Sequence, residues 1–583
     1  MKKMLLPALI CLFCVSCDFS NYIIKEEYDF TTVFEKSQGT ETATYPQVID
    51  YYEDLAAAFP SISLETIGET DSGEPLHLAI YSRNGNFDLE SLRKDNAILF
   101  INNGIHPGES DGIDATMMLF RDLAQDSIPL PKNTVIAAIP VYNIGGALNR
   151  NSFTRTNQNG PKAYGFRGNA RNYDLNRDFI KADTKNTRSF YKIFHMLDPD
   201  VMIDTHVSNG ADYQYSLTHL FTQHNKMGGE AGKYVKVEMM PALQKALRKK
   251  NWDITPYVNV FNEVPEKGFS QFLDTPRYST GYSTLWNTFG LMIETHMLKP
   301  YDKRVWGTYE TLRSMIDITD EDAKLIKKLK AQARKNFPAK ESYAFDFEVD
   351  SSKTSTLQFK GYEGEKIKSE VTGFERLKYD RDKPFTKEVT YYDYFKPTQE
   401  VALPKGYIIP QGWWQVLDLL KLNNVQMQQF EKDTMLPVQV YRIADYKTAN
   451  SAYEGHYPHS NTQVTTSNEK VSIRKGDFFI PLKQKAAQYL MATLEPQAPD
   501  SFFNWNFFDT VLQQKEGFSP YVFEDIAREF LDDYPNVEEE FLEKKKHDKE
   551  FANNWYAQLD WIHKKSDHYE KAHLRYPVFR VNR

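Results

Sequence analysis

The stretch Ala97-Ile98-Leu99-Phe100-Ile101-Asn102-Asn103-Gly104-Ile105-His106-Pro107-Gly108-Glu109 runs from a wholly apolar segment straight into an imidazole and a carboxylate. An uninterrupted apolar run bounded by Asn and Gly reads as a buried strand. In open α/β sheets, ligand sites lie at the carboxyl ends of strands. His and Glu at close spacing is ordinary metal-ligand chemistry, although H-x-x-E alone is equally compatible with a solvated polar turn. A third ligand is needed to separate the two readings.

Outward from this stretch, strand and helix signals alternate. Residues 67–82 show strand-like alternation around the turn Asp71-Ser72-Gly73, and further apolar runs stand at 135–140, 201–205 and 291–295. Helical spacing occupies 115–123, 187–196 and 232–249. This pattern predicts an α/β domain over residues 45–335. Beyond the Lys-rich, helix-like segment near 320–340 the texture changes. Tyr343-Ala344-Phe345-Asp346-Phe347-Glu348-Val349 alternates with period two, 387–395 and 436–443 do likewise, and turn signals are frequent. A β-rich C-terminal domain with a helical tail is predicted for 340–583, with helices at 414–422, 484–494, 520–531 and 537–565.

A chain of 583 residues exceeds one ordinary core. Lys plus Arg is 71 and Asp plus Glu is 79, a net charge of -8 with no basic block, which argues against a nucleic-acid partner. Lys2 and Lys3, an apolar stretch from Met4 to Val15, and Ser16-Cys17 read as a signal peptide over 1–17. Its ending resembles a bacterial lipobox, although Cys14 stands where an aliphatic residue is usual, so ordinary cleavage is the alternative. The expectation is an exported protein, periplasmic or at the cell surface, held on a bacterial membrane through lipidated Cys17 if the lipobox is used. Residues 18–44 are expected to be a tether. All three cysteines lie in the leader, so any metal must be held by His, Asp or Glu.

Each strong strand supplies a candidate at its carboxyl end. The run Val201-Met202-Ile203-Asp204-Thr205-His206 ends in histidine. With His106 and Glu109 it completes a two-imidazole, one-carboxylate set, the composition of a catalytic zinc site with an open position. Asp204 shares a strand face with His206 and either orients its ring or is simply solvated. Leu291-Met292-Ile293-Glu294 ends in a carboxylate that could serve as general base beside a metal, or be a buried ion-pair member. Between these strands, residues 166–179 (FRGNARNYDLNRDF) are dense in Arg and Asn, suited to binding carboxylates and oxyanions.

In that order, His106-Pro107-Gly108-Glu109, Asp174-Leu175-Asn176-Arg177, His206 and Glu294 resemble the zinc carboxypeptidase family typified by carboxypeptidase A, over roughly residues 45–314. The segment Ile67-Gly68-Glu69-Thr70-Asp71-Ser72-Gly73 is also similar to that family's opening strand and turn. The resemblance implies a central mixed, twisted sheet flanked by helices, one Zn2+ per chain on His106, Glu109 and His206, and Glu294 as the base that activates water. It implies that Asn176 and Arg177 grip the substrate's terminal carboxylate. Arg167 fits the carbonyl-polarising arginine, with Arg155 and Arg150 as rivals, and Tyr278, then Tyr282, fit the tyrosine that caps the substrate.

Two departures from the digestive enzymes bear on substrate choice. Pro107-Gly108 between the ligands looks more like the cytosolic and deacylase-like branches, and Asp178 follows Arg177. No H-E-x-x-H is present, Ser110 denies the inverse motif, and neither a G-x-S-x-G elbow nor a phosphate-binding loop occurs. The expected activity is hydrolysis of amide bonds near a free carboxylate, in a peptide or peptidoglycan-peptide substrate. A zinc amidase or deacylase acting on cell-wall peptides or N-acyl amino acids is one alternative, and a non-catalytic peptide- or glycan-binding lipoprotein is another.

Overall fold

The computed structural model describes residues 29–582; the leader assigned to 1–17, including Cys17, lies outside them. Among the described residues no helix is long and apolar enough to cross a membrane.

In chain order, strands β1 (Ile62–Glu69), β2 (Pro75–Tyr81), β3 (Ala97–Asn102), β4 (Thr134–Ile139), β5 (Val201–Ser208), β6 (Leu217–Phe221), β7 (Ile254–Pro256), the short β8 (Phe269–Ser270) and β9 (Phe289–His296) make up the first part of the chain. All but β8 join one eight-stranded sheet in the order β1-β2-β4-β3-β5-β9-β6-β7. β4, β3, β5 and β9 run parallel, while β1–β2, β2–β4 and β9–β6 pair antiparallel, so the sheet is mixed. Every residue of β3, β4 and β5 is buried, which explains why these strands read as largely apolar runs, with Asp204 and His206 the ionisable residues inside β5.

Helices flank the sheet, among them Asp111–Ala124, Lys185–Leu197 and Tyr301–Glu321. The second of these begins where the Thr184 side chain accepts from the Thr187 amide and ends at Asp198 in the left-handed region, φ 45°. The predicted α/β class with a mixed, helix-flanked sheet is therefore the observed one.

The expected tether needs correction from Asp29 onward. Phe30 and Phe34 are buried in the main core, and Glu35 pairs with Arg121 at 2.7 Å. Two aromatic anchors in an otherwise polar segment suffice to fold it onto the domain, so order begins well before Tyr45.

After helix Ala323–Asn336 come β10 (Ser342–Val349), β11 (Ser355–Lys368), β12 (Glu375–Tyr392), β13 (Phe395–Ala402), β14 (Gly406–Ile409), β15 (Gln428–Gln429), β16 (Thr434–Thr448), β17 (His459–Ile473), β18 (Phe478–Pro481) and β19 (Phe579–Val581). They form a β10–β13 pair, a β11–β12 hairpin joined to β8, and a six-stranded sheet β15-β18-β14-β19-β16-β17. The β-rich character expected after residue 340 is present. Helices Pro520–Asp533, Pro535–His547, Lys549–Ala552 and Trp555–Lys565 gather Phe523, Phe541, Phe551 and Leu559 into a small core of their own.

The halves are not separated by solvent. One apolar cluster runs continuously from Phe30 through Ile203 and Trp286 to Tyr489, Phe502 and Val578. Trp286 stacks on Tyr489 with centroids 5.5 Å apart, and Arg277 bonds Asp500 at 2.7 Å.

Candidate metal centre and substrate cleft

The sheet places the chemistry by register. Asn102 of β3 is level with Asp204 of β5, and His206 of β5 is level with Glu294 of β9. Beyond β3 the chain turns through Gly104, φ 65°, where an added Cβ would press on Ile113 at 3.2 Å. A tight turn closed by the Glu109 amide on the His106 carbonyl, 2.7 Å, then brings both side chains under the end of β5.

His106, Glu109 and His206 are all buried, and each offers one ligand atom within 4.8 Å of the others. Nδ1 of His106 lies 3.2 Å from Glu109 Oε1, and Nδ1 of His206 lies 3.0 Å from Glu109 Oε2. Their Nε2 atoms point the other way, onto Asp174 Oδ1 and Asp204 Oδ2, each at 2.9 Å. Two imidazoles thus converge on one carboxylate while a further carboxylate orients each ring, the usual support of metal-binding histidines. Asp204 does what its place on the strand suggests. The partnership of Asp174 with His106 has no counterpart in the sequence reading, although Asp174 lies within the Arg/Asn-rich segment noted there.

The electrostatics also fit a cation. Burial disfavours a charged His206, yet Asp204 and Glu109 push its pKa well above the ordinary imidazole value. Burial likewise opposes ionisation of Glu109, but His106 and Arg155 hold it well below the carboxylate range. Asp174 is also held low, by His106 and Arg167 against its burial. His106, Glu109 and His206 are the donor set zinc prefers, and a divalent ion there would take the place of the proton that the carboxylates otherwise favour on the His206 ring.

Glu294 lines the same cavity of about 280 Å³. Burial, opposed by His206 and reinforced by Glu109 and Asp204, pushes its carboxyl up to about 8. A carboxyl raised in this way suits a group that takes up a proton during a reaction.

The opposite wall comes from loops. Asp174 caps the short helical turn Leu175–Arg177 by accepting from the Asn176 amide at 2.9 Å. Asn176 Oδ1 accepts from the Ser279 amide at 3.1 Å, and the Arg177 guanidinium lies 4.5 Å over the Tyr278 ring. Asn176, Arg177 and Tyr278 all line the cavity. So do two arginines. Arg167 is held by Asp174, Nη2 to Oδ2 at 2.8 Å, and Arg155 by Glu109 at 3.0 Å. Arg150 instead donates to the backbone carbonyls of Thr42, Ala43 and Ala163, a structural task.

Tyr282 is corrected. It is fully buried, stacked on Tyr191 at 5.3 Å, and its hydroxyl donates to Asn423 Oδ1 at 2.6 Å. Helix Ser279–Thr284 starts right after Tyr278 and carries the later tyrosine round into the core, so only Tyr278 of the two faces the cleft. Sequence reasoning misses Tyr257, which also lines the cavity just after β7. It sits in no motif, and its place is set by the Tyr257 amide bonding the His219 carbonyl across to β6.

No family model matches the chain. Carboxypeptidase 2 of Trichophyton rubrum is 22% identical over 439 residues, covering 69% of this chain and 72% of its own. The same enzyme of Trichophyton tonsurans is 22% identical over 437 residues with the same coverage. Among solved structures, carboxypeptidase A from Helicoverpa armigera aligns with TM-score 0.37 and 14% identity, covering 48% of this chain and 74% of its own. A metallo-carboxypeptidase from Burkholderia cenocepacia gives 0.36 and 14%, covering 48% and 70%. The chain is similar to the carboxypeptidase A-like metallocarboxypeptidases.

Proposed function

We propose that the chain is a zinc metallocarboxypeptidase that removes C-terminal residues from peptides. The observation that carries this reading is the convergence of three parts on one cavity: the His106, Glu109, His206 donor set, Glu294 in register with His206, and Asn176 with Arg177 on the facing wall. Zn2+ held by the three ligands would supply Lewis-acid polarisation and a lowered water pKa.

The chain's own groups do the rest. Arg177 and Asn176 grip the free carboxylate of the substrate, with a guanidinium fork suited to bidentate pairing. Tyr278, braced against Arg177, closes over the bound residue. Glu294 takes a proton from the attacking water as oxygen joins the carbonyl carbon. Arg167 steadies the negative charge that develops on the carbonyl oxygen, with Arg155 placed to share that role. As the C–N bond breaks, Glu294 returns the proton to the leaving amine. Export and lipidation at Cys17 remain part of the proposal, placing the enzyme where extracellular or cell-wall peptides are its substrates.

The test is mass spectrometry of peptide digests. Purified protein should trim a peptide free acid from its C-terminus and leave the C-terminal amide of that peptide intact, and a chelator should abolish trimming. Release of an internal acyl group from N-acyl amino acids or muropeptides, with no action on the peptide, would favour an amidase instead.

A further inference from the structure

The loop 449–458, between β16 and β17 of the C-terminal half, reaches the segment that carries the proposed carboxylate grip. Its tip is a tight turn in which Tyr453 and His456 exchange backbone hydrogen bonds at 2.8 and 3.1 Å. Glu454 and Gly455 both occupy the left-handed region, φ 49° and 79°, the signature of a type I′ hairpin turn. A glutamate is an uncommon resident there, and its side chain has a specific use. Glu454 Oε2 accepts from the backbone amide of Asp174 at 2.9 Å.

The neighbours of this bond lock the same segment. Gly455 lies against Tyr173 so closely that a Cβ would stand 2.6 Å from the tyrosine oxygen. His456 Nε2 meets Asp183 Oδ2 at 2.8 Å, and Asp183 in turn accepts from buried Lys181 at 2.9 Å. Tyr453 stacks on Trp505, and Arg277, the residue before Tyr278, packs over both rings. Asp174 is the pivot of the site. Its side chain orients His106, anchors Arg167 and caps the short helical turn that carries Asn176 and Arg177.

We infer that Glu454 is a positioning residue of the metal centre and substrate grip, so that the C-terminal half is a working part of the site rather than a spacer or a separate recruiting module. Its carboxylate holds the Asp174 backbone, and Asp174 transmits that placement to His106 on one side and to Arg177 on the other. The kinetic consequence rests on the metallocarboxypeptidase reading; the metal consequence does not.

The experiment compares full-length wild type, Glu454→Gly and Glu454→Gln loaded with Zn2+. Gly suits the left-handed turn and removes the acceptor, whereas Gln keeps an acceptor oxygen without the charge. Two readouts are taken: the rate and extent of Zn2+ loss to a competing chelator, and KM and kcat on a peptide free acid. Glu454→Gly is expected to weaken Zn2+ retention and to raise KM by about tenfold, with Glu454→Gln close to wild type. Thermal unfolding confirms that each variant is folded, and His456→Ala, which loosens the same loop from Asp183, should shift both readouts in the same direction. Unchanged Zn2+ retention in folded Glu454→Gly and His456→Ala would overturn the inference, as would a Glu454→Gln as impaired as Glu454→Gly. If wild type binds Zn2+ but trims no peptide, the functional reading fails while the retention arm still decides this one.

Discussion

The two walls of the cleft are built in different ways. The metal-side wall, with His206, Asp204 and Glu294, stands on adjacent parallel strands whose register fixes each side chain against its neighbour. The facing wall, with Asp174, Asn176, Arg177 and Tyr278, is loop, and its placement depends on partners drawn from the C-terminal half: Glu454, Asp500 and Trp505. The contrast teaches that one wall is secured by secondary structure and the other by long-range packing. Damage to the sheet should strike metal and chemistry, whereas damage to the C-terminal half should strike substrate grip and, through Asp174 and His106, metal retention together.

The largest break in that comparison is a chain ending at Lys335. It strips Tyr489 from Trp286, Asn423 from Tyr282 and Asp500 from Arg277, and opens a core the two halves share. Such a chain should fail to give a cooperative thermal transition by calorimetry. A well-folded, active fragment would show that the loop wall needs no outside support.

Next in size is Arg177→Ala. Loss of a charge-assisted fork should raise KM for a peptide free acid by about a hundredfold, on the order of 3 kcal/mol, while Zn2+ content stays at one per chain. Equal loss of bound metal would mean the two walls are not separable.

The pH profile probes the strand wall. Glu294 must be ionised to accept a proton, and burial pushes its carboxyl up to about 8. A bound cation favours the ionised form and pulls the value down. The acid limb of kcat/KM should therefore fall above the ordinary carboxylate value of about 4.3 and below about 8, with activity lost as pH drops through it. A limb at or below the ordinary value would remove Glu294 from the role.

The smallest effects separate the tyrosines. Tyr278→Phe should alter KM with little change in stability. Tyr282→Phe should leave KM alone and cost about 1 kcal/mol in unfolding, because the Asn423 carbonyl oxygen loses its shorter contact in the core and keeps the one to His195 at 3.2 Å.

How much of this is legible in the sequence follows the same division. Strands β3, β4, β5 and β9 announce themselves as apolar runs, and the polar residues at their ends mark the metal-side wall, because a buried strand leaves charged groups only where it exits the core. The loop wall shows its composition but not its geometry. Tyr278 and Tyr282 are nearly equivalent by spacing, and only the helix starting at Ser279 decides between them. Asp174 and Glu454 are bonded across 280 positions, a contact fixed by how the two halves of the chain pack and by no local pattern. The tether expectation fails because Phe30 and Phe34 are too few to form a periodic signal, though enough to anchor a short segment.

The central claim is tested most directly by Glu294→Gln, assayed side by side for zinc content and for hydrolysis of a peptide free acid. One Zn2+ per chain is expected, as in wild type, with turnover reduced by about a thousandfold or more. Turnover close to wild type in the zinc-loaded variant would contradict it.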